Sequence, residues 1–412
     1  MTDGQGQSVK RRRVFYIPGY DPIHPRRYRE LYRSEGAAQA EISGYDLKLV
    51  GRQGGATYGW QVDGAIEGGE VEAEFDVLVW SDIVRTSMEL NIAQTYLLMA
   101  RTAWTYIGSG ALWRLMRLRK GPVMAALYPV GMLILQLVIA ALAGWIVGGV
   151  LRWAIGALVA GIVPVLGFWI AFVVVAVTVL RAFRRYDNKL FVYYLMHDYA
   201  YSARSKGANP PELEARMAEF ADQIAAALAE DVDEVLVVGH SSGAHLGVSI
   251  LADLDRDGRI PADGPALGFL TLGQVVPMVS FLRDADRLRR DLHDLSSSDS
   301  LFWLDVTAPG DGCAFALCDP VAVSGVAPEG QRWPLVISAA FTQTLSEARW
   351  QELRWRFFRL HFQYLCAFDR PGDYDYFRIT AGPLTLAERF AARAPSKSRI
   401  TKAASKFTSM AS

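Results

Sequence analysis

The chain has 412 residues, of which 51% are hydrophobic, so it can bury a large core and is not disordered throughout. Its 43 basic residues balance 43 acidic ones, and the zero net charge gives no overall field that attracts nucleic acid or an acidic substrate. The three cysteines, Cys313, Cys318 and Cys366, include no C-x-x-C pair, which argues against a disulfide framework and favours a reducing compartment.

The N-terminal segment predicts a strand, a helix and three further strands. A β-branched and aromatic run at residues 14–17 ends at Pro18-Gly19, and residues 26–40 have a helical pattern. Further strands are predicted at 45–50, 58–62 and 75–80. The basic run before the first strand is followed by only about five apolar residues, fewer than the roughly 7 to 15 of a signal peptide, so we expect no export signal.

A long apolar segment at residues 121–180 contains a single charged residue, Arg152. A membrane span needs roughly 20 apolar residues, so this length predicts two transmembrane helices, near 122–147 and 153–180. The pair Gly148-Gly149, close to Arg152, predicts the turn between them.

Basic residues flank this segment on both sides and predict its orientation. They are Arg114, Arg117, Arg119 and Lys120 before it, and Arg181, Arg184, Arg185 and Lys189 after it. By the positive-inside rule both flanks are cytoplasmic, so we expect an integral protein of the inner or plasma membrane with both termini in the cytoplasm. Residues 1–120 and 181–392 then form one domain, the hairpin 121–180 interrupts it, and the basic tail 393–412 is expected to be disordered.

The second soluble segment alternates helix and strand. Pro210 and Pro211 open a helix for which Asn209 is the expected N-cap, and a continuous apolar strand follows at 234–238. A helix at 242–254 and strands at 269–272, 303–306 and 335–338 come next. This alternation predicts an α/β fold with a mainly parallel sheet flanked by helices.

The sequence Gly239-His240-Ser241-Ser242-Gly243 lies between the predicted strand and helix and matches G-x-S-x-G. The pattern alone arises by chance in about one chain in five of this composition, but the strand before it and the helix after it are the setting that it requires. On these residues the chain resembles the α/β-hydrolase superfamily, in particular its lipases and esterases. The resemblance implies Ser241 as nucleophile, activated by a histidine that an acid orients, in the chain order serine, acid, histidine.

For the acid, the resemblance points to a loop after a later strand, where Asp311 is our choice. Asp305, within the predicted strand, and Asp319, before a proline, remain alternatives. For the base, His361 is the only histidine after Asp311. His293 precedes Asp311, and His245 lies on the predicted helix just after the G-x-S-x-G sequence.

The oxyanion hole is expected to combine the N–H of Ser242 with one from the loop after the first strand, donated by Gly19 or Tyr20. The sequence departs here from the commoner His-Gly of the family, because Pro18 precedes Gly19 and has no N–H to donate.

Other candidate sites are weaker. His240 and the pair His197-Asp198 lack a second ligand pair, so we expect no metal, and the pattern calls for no cofactor. The basic stretches at 11–13 and 393–406 are poor in aromatic residues, which favours membrane lipids over nucleic acid as partners.

Together these features predict a membrane-anchored serine hydrolase that cleaves an ester or thioester of a lipid or acylated substrate. A catalytically inactive membrane scaffold or regulator on the same fold is the alternative. Transport ranks last, because a hairpin with one charge lacks a polar path unless it oligomerises, although self-association through the hairpin is compatible with the sequence.

Overall fold

The computed structural model describes residues 8–52 and 57–411, and its centre is an eight-stranded mixed sheet. The strands are β1 (Arg11–Ile17), β2 (Asp46–Gly51), β3 (Gly59–Ile66), β4 (Gly69–Val77), β5 (Glu234–His240), β6 (Ala266–Leu272), β7 (Phe302–Thr307) and β8 (Leu335–Ser338). Their order is β2-β3-β4-β1-β5-β6-β7-β8. The α/β fold with a mainly parallel sheet is therefore confirmed, since the five pairs from β4 through β1 and β5 to β8 are parallel, and the pairs β2–β3 and β3–β4 are antiparallel.

Helices cover the sheet and form the segment between β4 and β5. They are α1 (Arg26–Ser43), α2 (Ser81–Ser87), α3 (Ile92–Gly108), α4 (Ala111–Leu118), α5 (Lys120–Gly156), α6 (Val163–Arg185), α7 (Asp187–Leu190), α8 (Val192–Arg204), α9 (Pro211–Leu228), α10 (Gly243–Arg256), α11 (Val276–Ser280), α12 (Asp286–Leu295), α13 (Pro320–Ser324), α14 (Phe341–Thr344), α15 (Glu347–Leu353), α16 (Phe357–His361), α17 (Tyr376–Ala381) and α18 (Leu386–Phe390). One N-cap expectation is wrong: Pro210 is the N-cap of α9, and the Asn209 amide instead donates to Glu214.

The chain divides into two compact units. The sheet unit comprises the residues up to Thr86, Ile107–Val123 and the residues from Ser205 onward. The helical unit comprises Ser87–Tyr106 and Met124–Arg204, so it is larger than the predicted hairpin. The reason is packing: Leu98 of α3 and Val192 and Met196 of α8 form a buried apolar cluster with Leu133 of α5.

Two helices, α5 and α6, are long and apolar enough to cross a membrane. Only 22% and 11% of their most apolar windows are buried, unlike the core helix of a soluble protein. The predicted turn at Gly148-Gly149 is wrong, because α5 continues to Gly156 and the chain reverses between Gly156 and Val163. Gly148 serves helix packing instead, since a Cβ there would lie 2.8 Å from the Phe168 carbonyl oxygen, and Gly144 meets Phe172 in the same way at 2.7 Å.

The C-terminal tail lies against the sheet unit, whereas the sequence predicted disorder. The Ile400 N–H donates to the Leu317 carbonyl (2.7 Å), the Asp319 N–H donates to the Ile400 carbonyl (3.0 Å), and the Ala404 N–H donates to the Val323 carbonyl (2.9 Å). These backbone bonds do not depend on side-chain polarity, which is why the small, polar composition of the tail misled the prediction.

Candidate active site

The serine of the G-x-S-x-G sequence lies on a strained turn between β5 and α10. Ser241 has φ +57°, a left-handed conformation that a side chain rarely adopts, and its N–H donates to the Leu272 carbonyl of β6 (2.9 Å). The turn therefore directs the chain sharply from a buried strand into a helix, the geometry that such a sequence predicts.

Close backbone contacts require glycine at both glycine positions of the G-x-S-x-G sequence. A Cβ on Gly243 would lie 2.1 Å from the Ile17 carbonyl oxygen, and one on Gly239 would lie 2.7 Å from the Gly243 carbonyl oxygen. These distances leave no space for any side chain, so the glycines allow α10 to start directly against the end of β1.

The loop after β1 lies beside the serine, as the predicted oxyanion loop requires. A Cβ on Gly19 would be 3.0 Å from Ser241 Cβ and 3.4 Å from its Oγ, so the missing side chain leaves space next to the hydroxyl. The Trp80 indole donates to the Pro18 carbonyl (3.0 Å) and its ring meets that of Tyr20 at 6.0 Å. Ser242 is the N-cap of α10, where the first N–H groups of a helix have no intrahelical acceptor.

The structure brings Asp311 and His361 into direct contact. His361 Nδ1 lies 2.7 Å from Asp311 Oδ2, and because a carboxylate only accepts hydrogen bonds, Nδ1 carries the proton. Asp311 is buried and belongs to the loop after β7, and His361 is the last residue of α16. The pairing leaves His361 Nε2 as the ring nitrogen that can accept a proton.

Asp311 has further donors besides the histidine. The Tyr364 hydroxyl donates to the same oxygen (3.0 Å), and the Cys313 N–H donates to the other (2.8 Å). Burial acts to raise the pKa of Asp311, but the charge of His361 and these hydrogen bonds outweigh burial and hold the pKa below its ordinary value. Asp311 is thus an ionised carboxylate although its side chain is buried.

The alternative acids have other partners. Asp305 lies within β7, where Thr271 Oγ1 donates to its Oδ1 (2.7 Å) and burial raises its pKa to about 8. Asp319 caps α13 by accepting from the N–H groups of Val321 and Ala322. Neither carboxylate is hydrogen-bonded to a histidine among the described residues.

The other histidines also have separate environments. His293 donates from Nδ1 to the Val326 carbonyl (2.8 Å). His245 is buried on α10, and burial lowers its pKa to about 4. His197 is buried on α8, with Nδ1 2.7 Å from the Tyr193 carbonyl oxygen.

Three contacts around His361 could not be found from the sequence. His240 donates from Nε2 to the His361 carbonyl (3.0 Å), and burial, with the nearby His361 charge, lowers its pKa to about 3, so it is neutral. Tyr364 accepts from the Ala308 N–H (3.0 Å) while donating to Asp311. Gly273, at φ +55°, has no room for a Cβ, which would lie 2.7 Å from the Tyr364 ring and 3.0 Å from His361 Cε1.

The same region offers ligand atoms of a kind that metals bind. Asp311, Cys313 and His361 present three such atoms within 4.8 Å of one another. Both Asp311 oxygens already accept hydrogen bonds from protein donors, however, and His361 contributes Nδ1 to one of them. This pattern favours a hydrogen-bonded acid and base over a set of ligands.

The chain was compared with models of protein families, with curated proteins and with solved structures, and none of them matches it.

Proposed function

We propose that the protein is a membrane-anchored serine hydrolase that cleaves an ester or thioester of a lipid or acylated substrate. The observation that carries this proposal is the strained Ser241 turn at the same edge of the sheet as the hydrogen-bonded pair Asp311 and His361. The carboxyl ends of β5, β6 and β7 meet at that edge, because these strands are parallel neighbours.

In the proposed reaction the Ser241 oxygen attacks the carbonyl carbon, and its proton passes to His361 Nε2. Asp311 holds the ring by accepting from Nδ1–H and stabilises the imidazolium. The N–H groups of Ser242 and of Gly19 or Tyr20 are the candidates to stabilise the oxyanion. The leaving group then takes the proton from His361, and water, deprotonated by His361, hydrolyses the acyl-enzyme and regenerates Ser241.

Exposed aromatic residues close to His361 in the chain support a lipophilic substrate. Trp355 is 73% exposed, and Phe357 and Phe358 are also exposed; all three precede His361 by three to six residues. The Phe357 ring lies against Gly312, since a Cβ on Gly312 would be 3.0 Å from it. Exposed aromatic clusters of this kind are typical of surfaces that contact lipid or an acyl chain.

The start of α5 supports an active site close to the membrane surface. A Cβ on Gly121 would lie 3.1 Å from the Gly312 carbonyl oxygen, so the first turn of α5 contacts the loop that carries Asp311. Arg119 fixes this contact by donating to the Ala316 carbonyl (2.7 Å). With basic residues on both flanks, we infer a cytoplasmic orientation for the sheet unit and both termini.

The proposal is tested by labelling membranes that contain the full chain with a fluorophosphonate probe, which reacts with activated serines. We expect labelling of the wild type, loss of labelling in Ser241→Ala and in Asp311→Asn, and retention in Asp305→Asn, the matched acid control. Labelling that persists in Ser241→Ala would contradict the nucleophile assignment. A folded, membrane-integrated wild type that does not label would favour the inactive scaffold.

A second experiment tests whether Asp311, Cys313 and His361 bind a metal ion or whether Asp311 and His361 act as a hydrogen-bonded pair without one. We expect EDTA treatment and Cys313→Ser to leave labelling intact, because neither change removes the Asp311 to His361 hydrogen bond. Loss of labelling in both experiments would favour a metal at this position.

A further inference from the structure

A cleft with a basic lining lies within the helical unit, apart from the candidate active site. Its volume is about 580 Å³, and three arginines of α6, Arg181, Arg184 and Arg185, line it together with Val177. Asn91, Ile92 and Ala93, at the start of α3, also line it. Arg181 lies four residues after Val177, and Arg184 and Arg185 lie three and four residues after Arg181, spacings that place these side chains on the same side of α6.

The positive charge of the cleft is not neutralised by the protein. Arg181, Arg184 and Arg185 form no ion pair with any acidic residue among those that the structure describes. Asp187, close in sequence, is already engaged, since its carboxylate accepts from the N–H groups that open α8. The helical unit as a whole has seven basic residues against three acidic ones.

The start of α3 adds hydrogen-bond donors to these charges. Asn91 accepts from the Gln94 N–H (2.9 Å) and so caps the helix. The N–H groups of Ile92 and Ala93 have no acceptor within the described parts of the chain. Free N–H groups at a helix start and three guanidinium groups together form a strong site for a phosphate.

We propose that this cleft binds the phosphate headgroup of an anionic membrane lipid, an inference that depends on the membrane location in the proposed function. The 18 uncharged residues of α6 before Arg181 span roughly 27 Å, close to the thickness of the hydrocarbon core, which brings the arginines to headgroup level. Val177 lies one turn toward the apolar part of α6 and is 39% exposed, so it offers an acyl chain a path along the helix. This continuity favours a lipid over soluble phosphate.

The test compares lipid retention by the full chain in native mass spectrometry after purification from membranes. The chain is incubated with phosphatidylglycerol or phosphatidylcholine, with and without about 10 mM inorganic phosphate as a competitor. The test variant is Arg181→Gln/Arg185→Gln, which keeps Arg184 because its guanidinium lies over the Tyr193 ring. The control, Arg117→Gln/Lys189→Gln, also removes two basic charges next to the apolar segment, one before it and one after it, but neither residue lines the cleft.

We expect the wild type and the control to retain phosphatidylglycerol in preference to phosphatidylcholine, and the test variant to retain about 10-fold less. Equal loss in both variants, or equal retention of the two lipids, would overturn the proposal. Displacement of the lipid by inorganic phosphate would assign the cleft to a soluble ligand instead. Fluorophosphonate labelling of the same samples reports on Ser241 separately, so a failed lipid site and a failed hydrolase are distinguishable.

Discussion

The substitution Asp305→Asn tests whether a buried carboxyl group lies neutral in the sheet. Asp305 is fully buried, Thr271 donates to one of its oxygens, and the other has no hydrogen-bond partner among the described residues. Burial raises its pKa from 3.8 to about 8. Asparagine keeps the acceptor for Thr271 and has no charge to desolvate.

The pH dependence follows from this raised pKa. Between pH 4 and pH 8 the folded chain keeps a proton on Asp305 that the unfolded chain has released, so the free energy of unfolding falls as pH rises. At 1.36 kcal/mol per pKa unit, this one group accounts for a loss of about 4 kcal/mol between pH 5 and pH 8. The contribution is complete at acid pH and absent above about pH 8.

Thermal unfolding followed by tryptophan fluorescence in detergent at pH 5 and pH 8 measures this effect. Between pH 5 and pH 8 we expect the Tm of the wild type to fall by roughly 8 °C more than the Tm of Asp305→Asn, at about 2 °C per kcal/mol. Asp263→Asn, an exposed position, is the control and should follow the wild type. If Asp305→Asn loses stability with pH in parallel with the wild type, Asp305 is not a neutral group in the fold.

Two further substitutions test other parts of the structure. Tyr364→Phe removes a hydrogen-bond donor to Asp311 and the acceptor of the Ala308 N–H, so we expect the free energy of unfolding to fall by about 1–3 kcal/mol. We also expect the acid limb of the pH profile of fluorophosphonate labelling to shift to higher pH. An unchanged pH profile would contradict a role of Tyr364 in holding Asp311 ionised. Gly148→Ala should destabilise the packing of α5 on α6 by about 1–3 kcal/mol, whereas Gly149→Ala should not, because a Cβ at Gly149 meets nothing within 4 Å. Circular dichroism during thermal unfolding measures the stability of both variants. Equal effects of the two substitutions would refute the packing argument.

Local sequence patterns were enough to predict most strands and the fold class. The run at 234–238 is apolar at nearly every position because β5 is buried on both faces between β1 and β6. Short, continuous apolar runs separated by helical periodicity therefore predicted a mainly parallel sheet. The apolar length of residues 121–180 likewise predicted two long helices, α5 and α6.

The position of the turn between α5 and α6 could not be predicted from the sequence, because a glycine pair can have two opposite structural roles. Glycine can end a helix, or it can let a second helix approach closely, and only the partner helix distinguishes these cases. Gly148 packs against Phe168 of α6, so α5 continues past it. The C-terminal tail was mispredicted for a related reason, since its order comes from backbone bonds to distant residues such as Leu317 and Val323.

The sequence by itself determined the strand, turn and helix around Ser241, because those residues are contiguous and their glycines are needed locally. It also reduced the choice of base to His361 through chain order, but it could not decide among Asp305, Asp311 and Asp319 from the residues alone. Only the tertiary structure decided which carboxylate meets the histidine, together with the supporting contacts of His240 and Tyr364. The physical reason is distance along the chain: Asp311 and His361 are 50 residues apart, and the fold of the loops at the sheet edge brings them together.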